Sequence, residues 1–418
     1  MKFFTKKSFA FLMAILMMFT LVACGGDKKE ETSAKTETVN TDGELVVGVT
    51  SFADTLEPTE QYFSWVITRY GVGENLVRFD EHGELQAALA EEWKVSDDKL
   101  TWEFKIRDGV KFSNGNPLTA EAVKSSLDRT FRKSKRAEGF FKATSIVADG
   151  QTLKISTEKP VAILPQCLAD PLFLIIDTSD NVEEYTTNAP ICTGPYVFKE
   201  FVPTEYAVVE RNENYWGGKP GLAKVTFKCI NDQSTRALSL KTGEIGIAYN
   251  LKIENKADFE GQDDINIQEL KSLRSTYAFM NQHGALGDLS LRQALIRALD
   301  KKAYTENLLG GAATPGKAPI PPTLDYGFDK LVDENAFNPE SAKEILAKAG
   351  YKDVDGDGFV EKPDGSKLEL NFVIYTSREE LKVYAQAAQA NLKDVGINVN
   401  LKTVSYETLL DMRDSGNF

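Results

Sequence analysis

The chain has 418 residues, enough for two or three domains, and its 42% hydrophobic and 27% charged residues are ordinary for a globular protein. That balance excludes a disordered, collagenous or polytopic membrane protein. With 49 Lys and Arg against 62 Asp and Glu, the net charge of -13 argues against a nucleic-acid partner. Two histidines, His82 and His283, exclude a multi-histidine metal site, and the four cysteines contain no CxxC pair.

Residues 1–23 read as a targeting segment. Lys2, Lys6 and Lys7 precede an apolar run from Phe9 to Ala23, too short for a comfortable membrane span. The run ends in Leu21-Val22-Ala23-Cys24, which resembles a bacterial lipobox with Cys24 as the acylated N-terminus of a lipoprotein; a plain secretory signal or short anchor helix is the alternative. Residues 24–43 hold Val39 as their only large apolar side chain and are expected to be a disordered tether reaching roughly 20–25 Å. Cys167, Cys192 and Cys229 are expected as buried free thiols, with one disulfide open in an exported protein.

The body alternates strands and helices. Leu45–Val49 reads as a strand covered on both faces. Thr101–Arg107 alternates and stops at Asp108-Gly109, a hairpin signal. Thr119 caps a helix that sets Ala120, Val123, Leu127 and Phe131 on one face. Thr152–Ser156 is a strand after the turn Asp149-Gly150. Tyr206–Arg211 and Lys224–Ile230 are expected to pair, and a helix from about Ser234 ends at Gly243. Ile265–Leu270 and Tyr277–Asn281 are expected as two further strands. Leu291–Leu299 is a helix and Thr314–Pro322 a loop. Asn338-Pro339-Glu340 starts a helix that buries Ala342, Ile345, Leu346 and Ala349 and stops at Gly350. Leu368–Tyr375 is a strand, Glu379–Val395 a helix, Ile397–Val404 a strand and Ser405–Ser415 a helix. This order predicts an α/β fold with a largely parallel sheet. The next strand of the pattern is missing after Phe418, and a longer protein is expected.

Several runs resemble the solute-binding proteins of ABC importers, in the peptide/nickel-binding family 5. They are Leu89-Ala90-Glu91-Glu92-Trp93, Thr101-Trp102-Glu103-Phe104, Arg107–Phe112, Asn114-Gly115, Thr193-Gly194-Pro195-Tyr196, Arg211–Pro220, Thr235-Arg236 through Gly243-Glu244, Leu291-Arg292 and Pro339–Gly350. The match covers residues 44–418 in order. The resemblance implies a periplasmic-binding-protein-like fold: two α/β lobes closing over a ligand, with an extra subdomain inserted in lobe one. Lobe one would be 44–81 and 181–268, the insert 82–180, and an incomplete lobe two 269–418. It implies a monomer with no catalysis and no required cofactor, and this chain shows no GxSxG, HExxH or Walker A motif. The expected partners are the permease subunits of an ABC importer and, through the lipid anchor, a bacterial cell membrane, with the protein outside the cytoplasm.

The resemblance also places the candidate site. Arg136, in Arg132–Arg136 at the end of the insert's first helix, lies near a pocket arginine of nickel-binding members and could hold a ligand carboxylate bidentately. A solvated basic helix end is the alternative. Where those members use a tryptophan and a chelate-binding arginine, this chain has Gly139 and Leu172, which tips the cargo toward a short peptide over a nickel chelate. Tyr62, Phe63 and Trp65 would line lobe one's side of the cleft, or form a core-facing stripe. Arg274, Tyr277 and His283 would flank the cleft near the hinge; a lone histidine in a polar loop is commonly just solvated. Tyr215-Trp216 reads as structural. Asp353, Asp355 and Asp357 with Gly358 match half of an EF-hand loop over 353–364 and suggest calcium, but Pro363 and Asp364 break the pattern, and an Asp-Gly-rich turn explains the same residues. A membrane-tethered sensor with the same fold, and a hydrolase with paired carboxylates, are the competing functions.

Overall fold

The computed structural model describes residues 43–50, 53–324, 326–376 and 378–418. The targeting segment, Cys24 and all of the tether but Gly43 lie outside the described residues. The fold mixes helices and strands, as an α/β chain should. It divides into two compact units, one built from Ala53–Thr226 with the start of strand β1 (Glu44–Val49), the other from Phe227–Phe418 with that strand's end.

In the first unit, helix α1 (Phe63–Arg69) follows the loop after β1, and the short strands β2 (Val77–Phe79) and β3 (Leu85–Ala87) form a hairpin. Strands β4 (Ala90–Val95), β5 (Thr101–Ile106), β6 (Ala143–Asp149) and β7 (Thr152–Thr157) make a four-stranded antiparallel sheet in the order β4-β5-β7-β6. Alternation puts Phe104, Ile106, Leu153 and Ile155 on its buried face. Helix α2 (Ala120–Lys133) covers that face with Ala120, Val123 and Leu127. The Thr119 side chain accepts from the Ala122 N–H, as a cap should. Helices α3 (Ala137–Phe140) and α4 (Leu164–Leu168) close the core, where Phe131, Phe140, Phe141 and Phe173 pack edge to face and tilted, 5.2–5.8 Å apart. Strands β8 (Tyr196–Val202) and β9 (Tyr206–Arg211) lie in this unit, β1 and β10 (Lys224–Cys229) straddle the division, and β11 (Ile247–Ala248) belongs to the second unit; the strand order is β11-β1-β10-β9-β8.

In the second unit, helix α5 (Gln233–Lys241) is capped by Asp232 and ends at Gly243 in left-handed backbone. Helix α6 (Leu289–Ala298), the single turn α7 (Lys301–Ala303) and helix α8 (Pro339–Lys348) precede strand β12 (Glu369–Tyr375), helix α9 (Glu379–Asp394), strand β13 (Asn398–Val404) and helix α10 (Tyr406–Ser415). β12 and β13 run parallel, with Glu369 opposite Asn398 and Tyr375 opposite Val404. Leu291, Leu295, Leu346, Leu392 and Ile397 share one core. Asn338 caps α8, and its side chain accepts from Ser341 N–H.

Four expectations need correction. β1 runs parallel to β11 and to β10, and β12 to β13, whereas β4–β7 and the pairs β2/β3 and β8/β9 are antiparallel, so the sheets are not largely parallel; strand–helix alternation does not report pairing direction where hairpins intervene. Asp108-Gly109 turns the chain, with Gly109 at φ +77°, but β5 pairs with β4 and β7 and forms no hairpin there. Residues 265–270 and 277–281 form no strand; Leu270 and Phe279 are 88% and 81% exposed, and alternation without a neighbouring edge makes no ladder. All three described cysteines are free, but Cys229 is only half-buried.

Candidate functional site

The loop that leaves β1 carries Glu57, Thr59, Gln61 and Tyr62 into α1. Glu57 is 1% exposed and Arg129 of α2 is 5% exposed. They meet in a fork, Nη1 to Oε1 at 2.9 Å and Nη2 to Oε2 at 2.7 Å. Glu57 also accepts from the backbone N–H groups of Thr59 at 3.1 Å and Tyr185 at 3.3 Å, and from the Thr59 hydroxyl. Burial pushes the Glu57 carboxyl up, but the Arg129 and Thr59 donors outweigh it and hold it below the usual carboxylate value. Arg129 reaches the Glu183 carbonyl at 2.9 Å and stacks over the Tyr185 ring at 5.1 Å, and Lys133 lies 3.9 Å from Glu57 Oε2.

One turn beyond, the chain breaks at Ser134, whose extended backbone ends α2. Arg136 therefore stands at the start of α3, not at the end of the insert's first helix. From there its guanidinium lies over the Tyr62 ring, 4.1 Å from the centroid, and donates to the Gln61 carbonyl. Gln61 sits at φ +39°, a strained conformation of the sort that clusters in ligand clamps. Loop 57–62 is thus gripped twice, at Glu57 by Arg129 and at Gln61-Tyr62 by Arg136. Tyr62 is 48% exposed, Phe63 turns into the interior, and Trp65 is half-buried with the Arg69 guanidinium over its ring at 5.2 Å.

The other candidates lie in the second unit, all exposed. Arg274 pairs with Glu380 at 3.1 Å, the Tyr277 hydroxyl donates to the Pro319 carbonyl at 2.6 Å, and the His283 backbone N–H donates to the Asn281 side chain at 3.2 Å. Leu172 is 1% exposed inside the first unit's core, while the space around Gly139 is open.

The acidic loop does not gather the three aspartates expected of it. Asp353 and Asp355 converge with Glu361, not with Asp357. Asp353 accepts from the N–H groups of Gly356 and Gly358, Asp355 from Asp357 and Asp357 from Phe359, and the Lys367 ammonium lies 3.4 Å from Asp355 and 3.2 Å from Asp357. Turn formation and one lysine account for these carboxylates, so the calcium expectation finds no support.

The motif residues form a frame. Thr193 Oγ1 and Trp216 Nε1 donate to Glu74 Oε2 at 2.8 and 2.9 Å, and Arg107 stacks on Trp216 at 4.6 Å. Burial raises the Glu74 carboxyl, and these donors only partly offset it. Gly194 lies against the chain at 71–72, where a Cβ would come within 2.5 Å of the carbonyl oxygens of Gly71 and Val72. Glu57, Arg129 and Glu74 escaped the sequence reading. The available signal was Ser126, Arg129 and Lys133 following one another at helical spacing beside the apolar stripe of α2.

Two compact α/β units, an aromatic and arginine cluster on the loop after the first strand, and a frame of polar motif residues define a two-lobed solute-binding protein. Residues 84–418 match the bacterial extracellular solute-binding proteins, family 5 Middle, and the chain belongs to that family. It is 30% identical to the nickel-binding periplasmic protein of Escherichia coli K12 over 362 residues, 83% of this chain and 68% of that protein. It is 29% identical to the oligopeptide-binding protein AppA of Bacillus subtilis over 441 residues, 99% of this chain and 79% of that protein. Its structure resembles NikA from Brucella suis in complex with Fe(III)-EDTA, with a TM-score of 0.80 and 28% identity over 90% of this chain and 78% of that one. The family is one of transport binding proteins. No helix among the described residues is long and apolar enough to cross a membrane.

Proposed function

We propose that this protein captures a small solute, a short peptide or nickel held in an organic chelate, and presents it to the permease of an ABC importer. It works outside the cytoplasm, anchored through a lipid on Cys24 and tethered by residues 24–43. The proposed lobes are 44–81 with 181–268, and 269–418, with 82–180 inserted; the apolar core that holds Phe104, Leu127, Leu153 and Phe173 supports a subdomain in that range, and Leu76 and Val77 join it from outside. Tyr62, Trp65 and Arg136 hold the ligand on one lobe and Arg274, Tyr277 and His283 on the other, while Phe63 backs the first group from the interior.

The observation that carries this reading is the Arg136 stack. A guanidinium held flat on an exposed tyrosine by the carbonyl of a strained residue is a preorganised cation, and Arg136 has no carboxylate partner among the described residues. The core position of Leu172 and the bare Gly139 favour peptide over chelate, since neither can supply a group to a chelate. Calcium has no part in this reading.

Native mass spectrometry of the full-length protein should find a peptide or a nickel chelate bound. Arg136→Ala should weaken that binding at least about tenfold with the fold intact, because a charged partner in a closed site is worth about 2–5 kcal/mol. A protein that carries neither cargo, or an Arg136→Ala variant that binds as the wild type does, refutes the assignment.

A further inference from the structure

Helix α1 carries a second cationic feature, and it bears on what the cargo must look like. Tyr62 stands at its cap, Trp65 three residues on and Arg69 four beyond that, so the three follow one stripe. Phe63, Ser64 and Ile67 turn inward and fix which way that stripe faces. Each ring of the stripe carries a guanidinium, Arg136 on Tyr62 and Arg69 on Trp65. Stacking occupies the flat face of a guanidinium and leaves its N–H edge for acceptors in the plane.

Among the described residues Arg69 makes no ion pair or hydrogen bond, and its guanidinium lies over the Trp65 ring. Of the acids of the preceding loop, Glu57 is taken by Arg129 and Glu60 accepts from the Thr55 hydroxyl, while Asp54 is exposed; among the described residues none of the three pairs with Arg69. In a chain with 62 acids to 49 bases, two neighbouring arginines without a carboxylate are a local excess of positive charge. The indole Nε1 of Trp65 is shut off from water and unpaired, so Trp65 contributes its ring and no donor to the stripe. The stripe therefore offers two cations, and its Tyr62 hydroxyl is the one group on it able to accept.

Resting on the solute-binding reading above, we infer that Trp65 and Arg69 form a second anion anchor beside Arg136, and that the cargo carries at least two carboxylates. Neighbours at helical spacing put the two anchors roughly 5–10 Å apart. An acidic short peptide and a metal held by a polycarboxylate chelator both present that pattern.

Calorimetric titration of the full-length protein with two matched probe pairs tests this: the dipeptides Glu-Glu and Gln-Gln, and nickel(II) as its EDTA or its triethylenetetramine chelate. The member with more carboxylates (three in Glu-Glu against the single C-terminal one of Gln-Gln, and EDTA against triethylenetetramine) should bind at least tenfold more tightly than its counterpart in at least one pair, and which pair responds identifies the source of the carboxylates. Arg69→Gln should weaken that probe at least tenfold and its counterpart less than twofold, and Arg69→Lys should recover part of the loss. Trp65→Phe, which keeps a ring under Arg69, should bind that probe within about twofold of the wild type. Arg69 is exposed, so an unchanged melting temperature should accompany these losses. Equal binding of both members of each pair, or an Arg69→Gln variant that binds the carboxylate probe as the wild type does, overturns the second anchor and leaves the solute-binding reading standing. If no probe of either pair binds, both cargo classes fail and this inference fails with them.

Discussion

Replacing Arg129 by Met should destabilise the first unit by about 3–5 kcal/mol, because it leaves the Glu57 carboxylate buried and without its cation. The magnitude follows from the geometry. Glu57 is 1% exposed, its two oxygens take the guanidinium fork at 2.9 and 2.7 Å, and Lys133, a looser ion pair at 3.9 Å whose ammonium already donates to the Glu183 carbonyl, does not supply that fork. At a denaturant slope of about 2–3 kcal/mol per molar urea, the unfolding midpoint should fall by roughly 1–2 M. The double variant Glu57→Gln with Arg129→Met should recover part of this loss, since no charge is buried and the amide oxygen still accepts from Thr59, while the Tyr185 N–H, which bonds the other oxygen, loses its acceptor. The pH dependence has a definite sign. Glu57 titrates below its ordinary value, so the wild type has the pair's contribution above the ordinary carboxylate pKa and loses it as pH falls through the depressed one. In Arg129→Met the carboxyl is relieved by protonation, so the gap between wild type and variant should narrow from pH 7 towards pH 4. Urea unfolding followed by tryptophan fluorescence at several pH values measures both effects. A gap that stays constant with pH, or a double variant as unstable as the single one, would show that the pair is not what supports loop 57–62.

Gly194→Ala should cost about 1–3 kcal/mol or prevent folding, because the added methyl meets two backbone oxygens that cannot step aside; a melting temperature within a degree or two of wild type would refute the close approach. Glu74→Gln should gain on the wild type as pH rises: the Glu74 pKa is raised, so its favourable contribution is present at acid pH and lost as pH climbs through the folded value, and urea midpoints at pH 4.5 and 8 test the trend. Cys24→Ala should release the protein from carbonate-washed membranes, and retention in the membrane fraction would favour an uncleaved anchor.

The sequence was most legible where a local rule had no competitor. Asn338 before Pro339, Thr119 before Ala120 and Gly243 after α5 each mark a helix end by chain-local chemistry, and each does so in the structure. It misled where a local pattern needs a distant partner. Ile265–Leu270 alternates as a strand does, but nothing in the alternation supplies a neighbouring edge, and the segment stays irregular. The Glu57–Arg129 fork was hidden for the same reason: the two residues are 72 positions apart, and arginine in a helix reads as surface. At the candidate site, Tyr62 and Arg136 were legible as separate residues, and the fold brings them into one stack.

The division of labour between motif and site explains why the family is easy to read here and the cargo is hard. Thr193, Gly194, Arg107 and Trp216 converge on Glu74 or on the backbone beside it, and each is there for a contact internal to the chain. Such contacts do not depend on what is carried, so they identify the fold and leave the ligand open. The side chains turned outward around α1, which are Tyr62, Trp65, Arg69 and Arg136, make few internal contacts, and no motif marks them. They are held instead by a backing layer: Arg129 fixes Glu57, the loop fixes Gln61, and the Gln61 carbonyl orients Arg136. On the proposed reading, a change of cargo needs substitutions only in the outward set, while a change in the backing layer should damage binding and stability together. That difference separates the two sets experimentally, since Arg69→Gln should move affinity alone and Arg129→Met should move both.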